Sequence, residues 1–359
     1  MAERVSIHDA RGIDQLRSQL RIEPGLIRRL RIAFTKHFRG AKAALDALPA
    51  EVRGKFAQQV DFYSLALHKR CDSQVDGATK LIFRTQAGML IESVLLRAGT
   101  GRVSLCLSSQ IGCAAACDFC ATGKMGMAHN LTAAEILDQV VQASDLLKPE
   151  GKSVRNLVFM GMGEPLHNEA ALYPALSSLT DPAQFDHPPS RILVSTVGVA
   201  DAMVGFAEQF PGVNLALSLH SVRQATREQI IPLAKKYPLT VLRQTLREVQ
   251  EVQQRQLMIE YLMLAGVNDS LDEAAELVAW LQGIDAHVNL IPYNRVDDAP
   301  HLIGSDRRTR EAFAGVLKQA GLPTTIRYSM GQDIEAACGQ LVRQENRALA
   351  ALAAKDRRH

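Results

Sequence analysis

Apolar and polar positions change their spacing twice along the chain. In roughly the first seventy residues the apolar ones recur at helix-like intervals. Leu16, Leu20, Leu26, Ile27 and Leu30 form this series, and Pro24 and Gly25 interrupt it. The pattern predicts short helices. Over residues 79–97 two apolar runs, Thr79-Lys-Leu-Ile-Phe-Arg and Met89-Leu-Ile-Glu-Ser-Val-Leu-Leu, flank Gly88, which predicts a β-hairpin. Beyond residue 99 short apolar runs alternate with longer amphipathic ones. Strands are predicted at 103–107, 156–160, 191–195, 213–218, 257–263, 288–292 and 324–329. Helices are predicted at 132–147, 239–253, 271–281 and 307–320. Thr132-Ala-Ala-Glu135 and Ser270-Leu-Asp-Glu273 read as capping boxes.

Strand–helix alternation argues for a parallel sheet. The expected fold is α/β: a partial (β/α) barrel over 99–345, with its active site at the C-terminal strand ends. A small basic helical domain over 1–72 and a hairpin extension over 73–98 precede it. The Ala-, Lys- and Arg-rich tail over 346–359 reads as a frayed helix.

Composition adds size and charge to this picture. The chain has 359 residues, 47% of them apolar, enough for a substantial core. No apolar run reaches membrane-spanning length, so a soluble protein with no membrane partner is expected. Net charge is only +3, but residues 11–70 hold 13 Lys or Arg against 5 Asp or Glu. Arg28, Arg29 and Arg31, then Lys36, Arg39 and Lys42, form the clusters. Such a face could meet phosphates and give salt-dependent binding, or it could be a solvated helix surface.

Three of the six cysteines, Cys113, Cys117 and Cys120, fall within eight residues in a C-x3-C-x2-C pattern. A structural zinc site needs four ligands, commonly two separated C-x2-C pairs. Here there is no second pair, and the nearest downstream histidine is His129. A disulfide framework suits such sparse cysteines poorly, and the start MAERVSIHDA lacks an apolar signal core, so a reducing cytoplasm is expected. Three core cysteines would not crowd onto a Gly- and Ala-rich segment. Three thiolates can, however, hold three irons of a four-iron cluster and leave the fourth open. A cluster that only carries electrons has all four corners tied to protein.

The spacing resembles the signature of the radical S-adenosylmethionine (SAM) superfamily. That resemblance implies a [4Fe-4S] cluster on Cys113, Cys117 and Cys120, whose open iron binds SAM and splits it to a 5′-deoxyadenosyl radical. After the apolar run Asn156-Leu-Val-Phe-Met comes Gly161-Met-Gly163-Glu164-Pro165. The resemblance implies that Gly163 and Glu164 meet the SAM amino group. Ser195, Ser218, Leu219, His220 and Asn289 fall at or beside predicted strand ends. Singly each reads as a residue of a barrel layer. Together they suit ribose hydroxyls or the SAM carboxylate.

Longer segments resemble the RlmN/Cfr family of RNA adenine methyltransferases. They are Cys106-Leu-Ser-Ser-Gln-Ile-Gly-Cys113, Met160-Gly-Met-Gly-Glu-Pro-Leu166, Ser218-Leu-His220, Asn289-Leu-Ile-Pro-Tyr and Asp333-Ile-Glu-Ala-Ala-Cys-Gly-Gln-Leu341. The match spans about residues 80–342, and the preceding segment lacks the family's aromatic-rich pattern. The resemblance implies that Cys338 takes a methyl group from SAM and passes it, after radical activation, to C2 or C8 of adenine. Cys106 would resolve the protein–RNA adduct by closing a disulfide with Cys338. Glu92, by residue type alone a solvent-facing strand residue, would accept the ring proton. Implied partners are ribosomal or transfer RNA and an electron donor for the cluster, with the enzyme a monomer. A radical SAM enzyme acting on a different RNA or a non-RNA substrate is the alternative.

Overall fold

A computed structural model describes residues 4–126, 128–340 and 346. The amino-terminal part contains β1 (Val5–Ser6), α1 (Ala10–Gln19), α2 (Pro24–Arg31), α3 (Gly40–Leu45), α4 (Ala50–Gln59) and β2 (Val60–Asp61). Asp9 caps α1 by accepting from Arg11 N and Gly12 N. Pro24 opens α2, where its missing N–H costs nothing. Ile13, Leu16, Ile27 and Leu30 are buried, while Leu20 and Leu26 of the periodic series are half-buried.

β3 (Leu65–Asp72), β4 (Ala78–Thr85) and β5 (Leu90–Arg97) form an antiparallel run that joins β6 (Val103–Cys106). The hairpin expected around Gly88 is β4–β5. β3 lies where the spacing suggested a helix. Only Leu65 of its eight residues is buried, so it carries no alternating apolar signal and is a strand because β4 pairs with it.

The short antiparallel pair β7 (Gln110–Gly112) and β8 (Ala128–Asn130) brackets the three-cysteine loop. There follow α5 (Ala133–Leu147), β9 (Asn156–Phe159), α6 (Glu169–Thr180), β10 (Ile192–Thr196) and α7 (Ala200–Gln209). Then come β11 (Asn214–Ser218), α8 (Gln224–Ile230), α9 (Leu239–Gln253), β12 (Leu257–Met263), α10 (Leu271–Trp280), β13 (Ala286–Pro292), α11 (Arg307–Gln319) and β14 (Thr324–Ile326). The ten-stranded sheet has the order β14-β13-β12-β11-β10-β9-β6-β5-β4-β3. Strands from β6 to β14 are parallel. Strand order never reverses from β9 to β14, so right-handed crossovers put the intervening helices on one face. This is the wall of a barrel left open, with β14 and β3 as its edges.

Thr132 completes a capping box with Glu135 on α5. Ser270 caps α10 by accepting from Glu273 N, but the box is only half made. The Glu273 side chain turns inward to accept from Ser221 Oγ and, at 2.9 Å, from Tyr261 Oη. The sheet leaves β14 at Ile326, three residues before the expected end. The expected tail helix lies almost wholly outside the described residues. Among the described residues no helix is long and apolar enough to cross a membrane.

Candidate active site

The C-terminal ends of the parallel strands converge on one cavity, as the α/β alternation requires. Cys113, Cys117 and Cys120 line it from the loop, Gly163 and Glu164 from the end of β9, Ser195 from β10, and Ser218 and His220 from β11. Cys338 reaches it from a carboxy-terminal loop. Residues more than two hundred positions apart in sequence thus share one wall.

Backbone bonds fix the cysteine loop. Cys120 N donates to Cys117 O at 3.2 Å, and Asp118 N to Ile230 O at 2.9 Å. Ala121 N donates to Gly339 O at 2.8 Å, which ties the residue after Cys338 to the residue after Cys120. Ala116 in the loop and His220 in the cavity have φ of 52° and 60°. Left-handed backbone at non-glycine residues stores strain where the surroundings impose it. Burial raises the Cys117 thiol pKa, as do the neighbouring Cys120 and Cys113, while Arg227 opposes the rise. Burial also pushes Cys113 up to about 12.

Arg227 is fully buried. Its Nε donates to Leu219 O at 3.1 Å and its Nη2 to Val197 O. Nη1 has no hydrogen-bond partner among the described residues. A buried cation with a spare donor beside Cys117 fits an anionic group held by the thiols. No three His, Cys, Asp or Glu side chains among the described residues are grouped to hold a single metal ion. Three thiols lining one cavity, beside a buried guanidinium with a spare donor, are a donor set that suits a multi-iron cluster with one open corner.

Glu164 is buried and already partnered. Its Oε2 accepts from Val197 N at 2.8 Å and its Oε1 from Leu166 N at 3.1 Å. Burial nonetheless raises its pKa to about 7, so a cationic ligand would stabilise the carboxylate. The two glycines before it serve the chain itself. A Cβ on Gly161 would lie 2.6 Å from Leu107 O, and one on Gly163, whose φ is 104°, would lie 2.7 Å from Gln110 N. They let the end of β9 press against the segment leading into the cysteine loop.

Ser195 Oγ and Ser218 Oγ are 3.1 Å apart. His220 Nδ1 accepts from Leu262 N at 2.9 Å, and the ring meets Phe119 of the cysteine loop edge-on, centroids 4.9 Å apart. Burial first, then Arg227, lowers the His220 pKa to about 3, so the imidazole is neutral at neutral pH. Leu219 is buried and Asn289 half-buried; neither lines the cavity. Asn289 Nδ2 instead donates to Glu260 Oε1 at 3.1 Å. Glu260 does line it, is buried, and has Arg327 Nη1 3.6 Å from its Oε2. Glu260 and Arg227 are the site residues that sequence reasoning missed. The signal for Glu260 was a lone carboxylate inside the apolar run Leu257–Met263.

A second cavity adjoins the first, and Met160, Ile291 and Cys338 belong to both. Cys106, at the end of β6, lines this second space. Cys106 and Cys338 are both free thiols, so the expected disulfide is not formed here. Cys338 is open to the recess, yet scarce water around it raises its pKa to about 11, with Arg327 pulling the other way. Burial and the nearby Cys338 push Cys106 up to about 12. Glu92 is fully buried rather than solvent-facing. It shares a face of β5 with Val94 and Leu96, which line the second cavity. Lys80 Nζ lies 3.8 Å from its Oε2.

No family model matches the chain. A Rhodopirellula baltica protein named a probable RNA methyltransferase is 54% identical over 343 residues, 96% of this chain and 89% of that protein. A Thermus thermophilus protein named a probable dual-specificity RNA methyltransferase RlmN is 40% identical over 316 residues, 88% of each chain. The crystal structure of a radical SAM methyltransferase from Sphaerobacter thermophilus matches with a TM-score of 0.89 at 33% identity, covering 94% of this chain and 99% of that one. These matches extend well beyond residues 80–342, where the motifs lie. By sequence and by fold, this chain belongs to the RlmN/Cfr family of radical SAM RNA methyltransferases.

Proposed function

We propose that the enzyme methylates a ring carbon of adenine, C2 or C8, in ribosomal RNA, transfer RNA or both, and that Cys338 carries the methyl group. The observation that carries this reading is the position of Cys338 in the wall between two cavities. One holds the three clustered cysteines and Glu164, the other Cys106.

Cys113, Cys117 and Cys120 would hold a [4Fe-4S] cluster, with Arg227 offsetting its charge. Gly163, Glu164, Ser195, Ser218 and His220 would surround SAM, while Leu219 and Asn289 would shape the wall behind them. When bound, the reduced cluster and SAM supply a radical strong enough to take hydrogen from a methyl group. The chain's own tasks are orientation and proton handling. Cys338 acts as the nucleophile that accepts the methyl group, and Arg327 favours its thiolate. Glu92 accepts the proton lost from the adenine ring, through water if it does not touch the base. Cys106, as its thiolate, attacks the Cys338 sulfur; a disulfide forms, the sulfur–carbon bond breaks with its electron pair going to the methylene carbon, and that carbon takes up a proton to become the methyl group, after which a thiol reductant of the cytoplasm reopens the disulfide.

Mass spectrometry of nucleosides from ribosomal and transfer RNA of a deletion strain tests the proposal. Loss of 2-methyladenosine or 8-methyladenosine, restored by the gene, is expected. An unchanged methyladenosine content in both RNAs would overturn it.

A further inference from the structure

Lys80 is a charged residue inside β4, just before the apolar run Leu81-Ile82-Phe83. The ladder register fixes where it points. Lys80 pairs with Val94 of β5 and Ile82 with Glu92, so Lys80 and Glu92 are diagonal neighbours on one face of the sheet. Both are buried, Lys80 4% and Glu92 0% exposed. Lys80 Nζ lies 3.8 Å from Glu92 Oε2 and donates to Glu335 O at 3.2 Å. Glu335 stands three residues before Cys338. An ammonium taken out of water is destabilising unless charges and acceptors replace its hydration. For packing alone, an apolar residue of similar volume serves as well or better. The buried cation therefore points to a task beyond holding two strands together.

We propose that Lys80 is a positioning residue for the proton-removal step: its ammonium keeps Glu92 ionised, and its bond to Glu335 O holds that carboxylate in register with the loop that presents Cys338. The assignment rests on Glu92 as the base and Cys338 as the methyl carrier, and it adds what couples the two. In that step the proton of the reacting ring carbon goes to Glu92, and the C–H electron pair stays in the ring. Burial favours the protonated carboxyl, which cannot take up the proton, and a cation close by opposes this. Transfer of a methyl group from SAM to Cys338 comes earlier and asks nothing of Glu92. Loss of the Lys80 charge therefore acts on one half of the cycle only. RNA already bonded to Cys338 waits for deprotonation and accumulates in that form.

The test uses the anaerobically reconstituted holoenzyme with SAM, a reductant and RNA from a strain lacking the gene. Lys80→Met removes the charge. Lys80→Gln removes it too but leaves an amide that can donate to Glu335 O. Methylation of the Cys338 peptide, read by mass spectrometry, is expected to match wild type in both variants, which also shows that they fold. Release of methylated RNA is expected to fall by about tenfold or more in both, a part of the roughly 10²–10⁴-fold that a general base supplies. A nuclease-sensitive adduct of RNA with Cys338 is expected to build up in both. Release at the wild-type rate in Lys80→Met overturns the proposal. Wild-type release in Lys80→Gln alone also overturns it, because Lys80 would then only tie down the loop. Slowed release without the adduct, or loss of Cys338 methylation in either variant, does the same, since the fault would then precede the proton step. A wild-type enzyme whose Cys338 takes no methyl group would instead refute the methyl-carrier reading on which the assignment rests.

Discussion

Cys117 and Arg227 show how differently single residues announce themselves. The three clustered cysteines are legible because their spacing has few other uses. Arg227 is not, because a lone arginine in a short helix reads as surface until burial and the nearby Cys117 thiol are seen. Removing its charge should lower the reduction potential of the cluster, since a nearby cation favours the more negative, reduced state. Arg227→Gln is therefore expected to shift an anaerobic electron-paramagnetic-resonance redox titration to lower potential, with Arg227→Lys closer to wild type. Equal potentials in all three would contradict its assigned role. Glu164 is expected to lose SAM affinity on substitution by Gln, read by anaerobic calorimetry. Gly163→Ala should destabilise the fold, because a Cβ would meet Gln110 backbone at 2.7 Å on a residue with φ of 104°. A drop of about 1–3 kcal/mol in denaturant unfolding is the expected size.

At the scale of elements, the hairpin and the carboxy-terminal loop form one device. Asp333 accepts from Ser73 Oγ at 2.8 Å and from Gln74 N at 2.9 Å. Gly331 N donates to Asp76 Oδ2 at 2.8 Å, and Lys80 Nζ to Glu335 O at 3.2 Å. On the other side Asn294 Nδ2 donates to Cys338 O at 3.1 Å. The β3–β4 connection thus clamps the loop that presents Cys338, a task invisible in sequence because the partners lie some 260 residues apart. Asp333→Ala should free the loop, which would appear as faster alkylation of Cys338 under anaerobic conditions. An unchanged rate would show that the clamp is not needed.

α5 is held in a comparable way by Asp138. Its Oδ2 accepts from Ser64 N and Leu65 N, each at 2.8 Å, at the start of β3. Burial raises its pKa from 3.8 to about 7. The folded state holds this proton more tightly than the unfolded chain, so the group makes stability fall as pH rises across that interval. Asp138→Asn, which keeps an acceptor oxygen, should flatten the decline of Tm between about pH 4 and pH 7. The same slope in both proteins would remove Asp138 as its source.

Across the whole molecule, the alternation of apolar runs revealed the α/β class and the parallel order, since each run becomes a sheet strand. It failed at β3, an edge strand whose side chains are mostly exposed and whose identity depends on its neighbour. The basic amino-terminal region proves mixed. Lys36 pairs with Asp186 at 2.6 Å, and Arg31 donates to Ile7 O and Asp9 O. Arg28, Arg29, Arg39 and Lys42 remain exposed. If these meet RNA phosphates, Arg28→Gln with Arg29→Gln should weaken RNA binding and flatten its dependence on salt, by about one unit of log–log slope per lost contact. An unchanged slope would assign the patch to solvent.

Carriage of the methyl group by Cys338 can be read by peptide mass spectrometry of the enzyme isolated anaerobically from cells supplied with SAM. The Cys338 peptide is expected to gain the mass of one methyl group, incubation with substrate RNA to discharge it, and Cys338→Ala to transfer no methyl group to RNA. A Cys338 that stays unmodified throughout while RNA is methylated would contradict it.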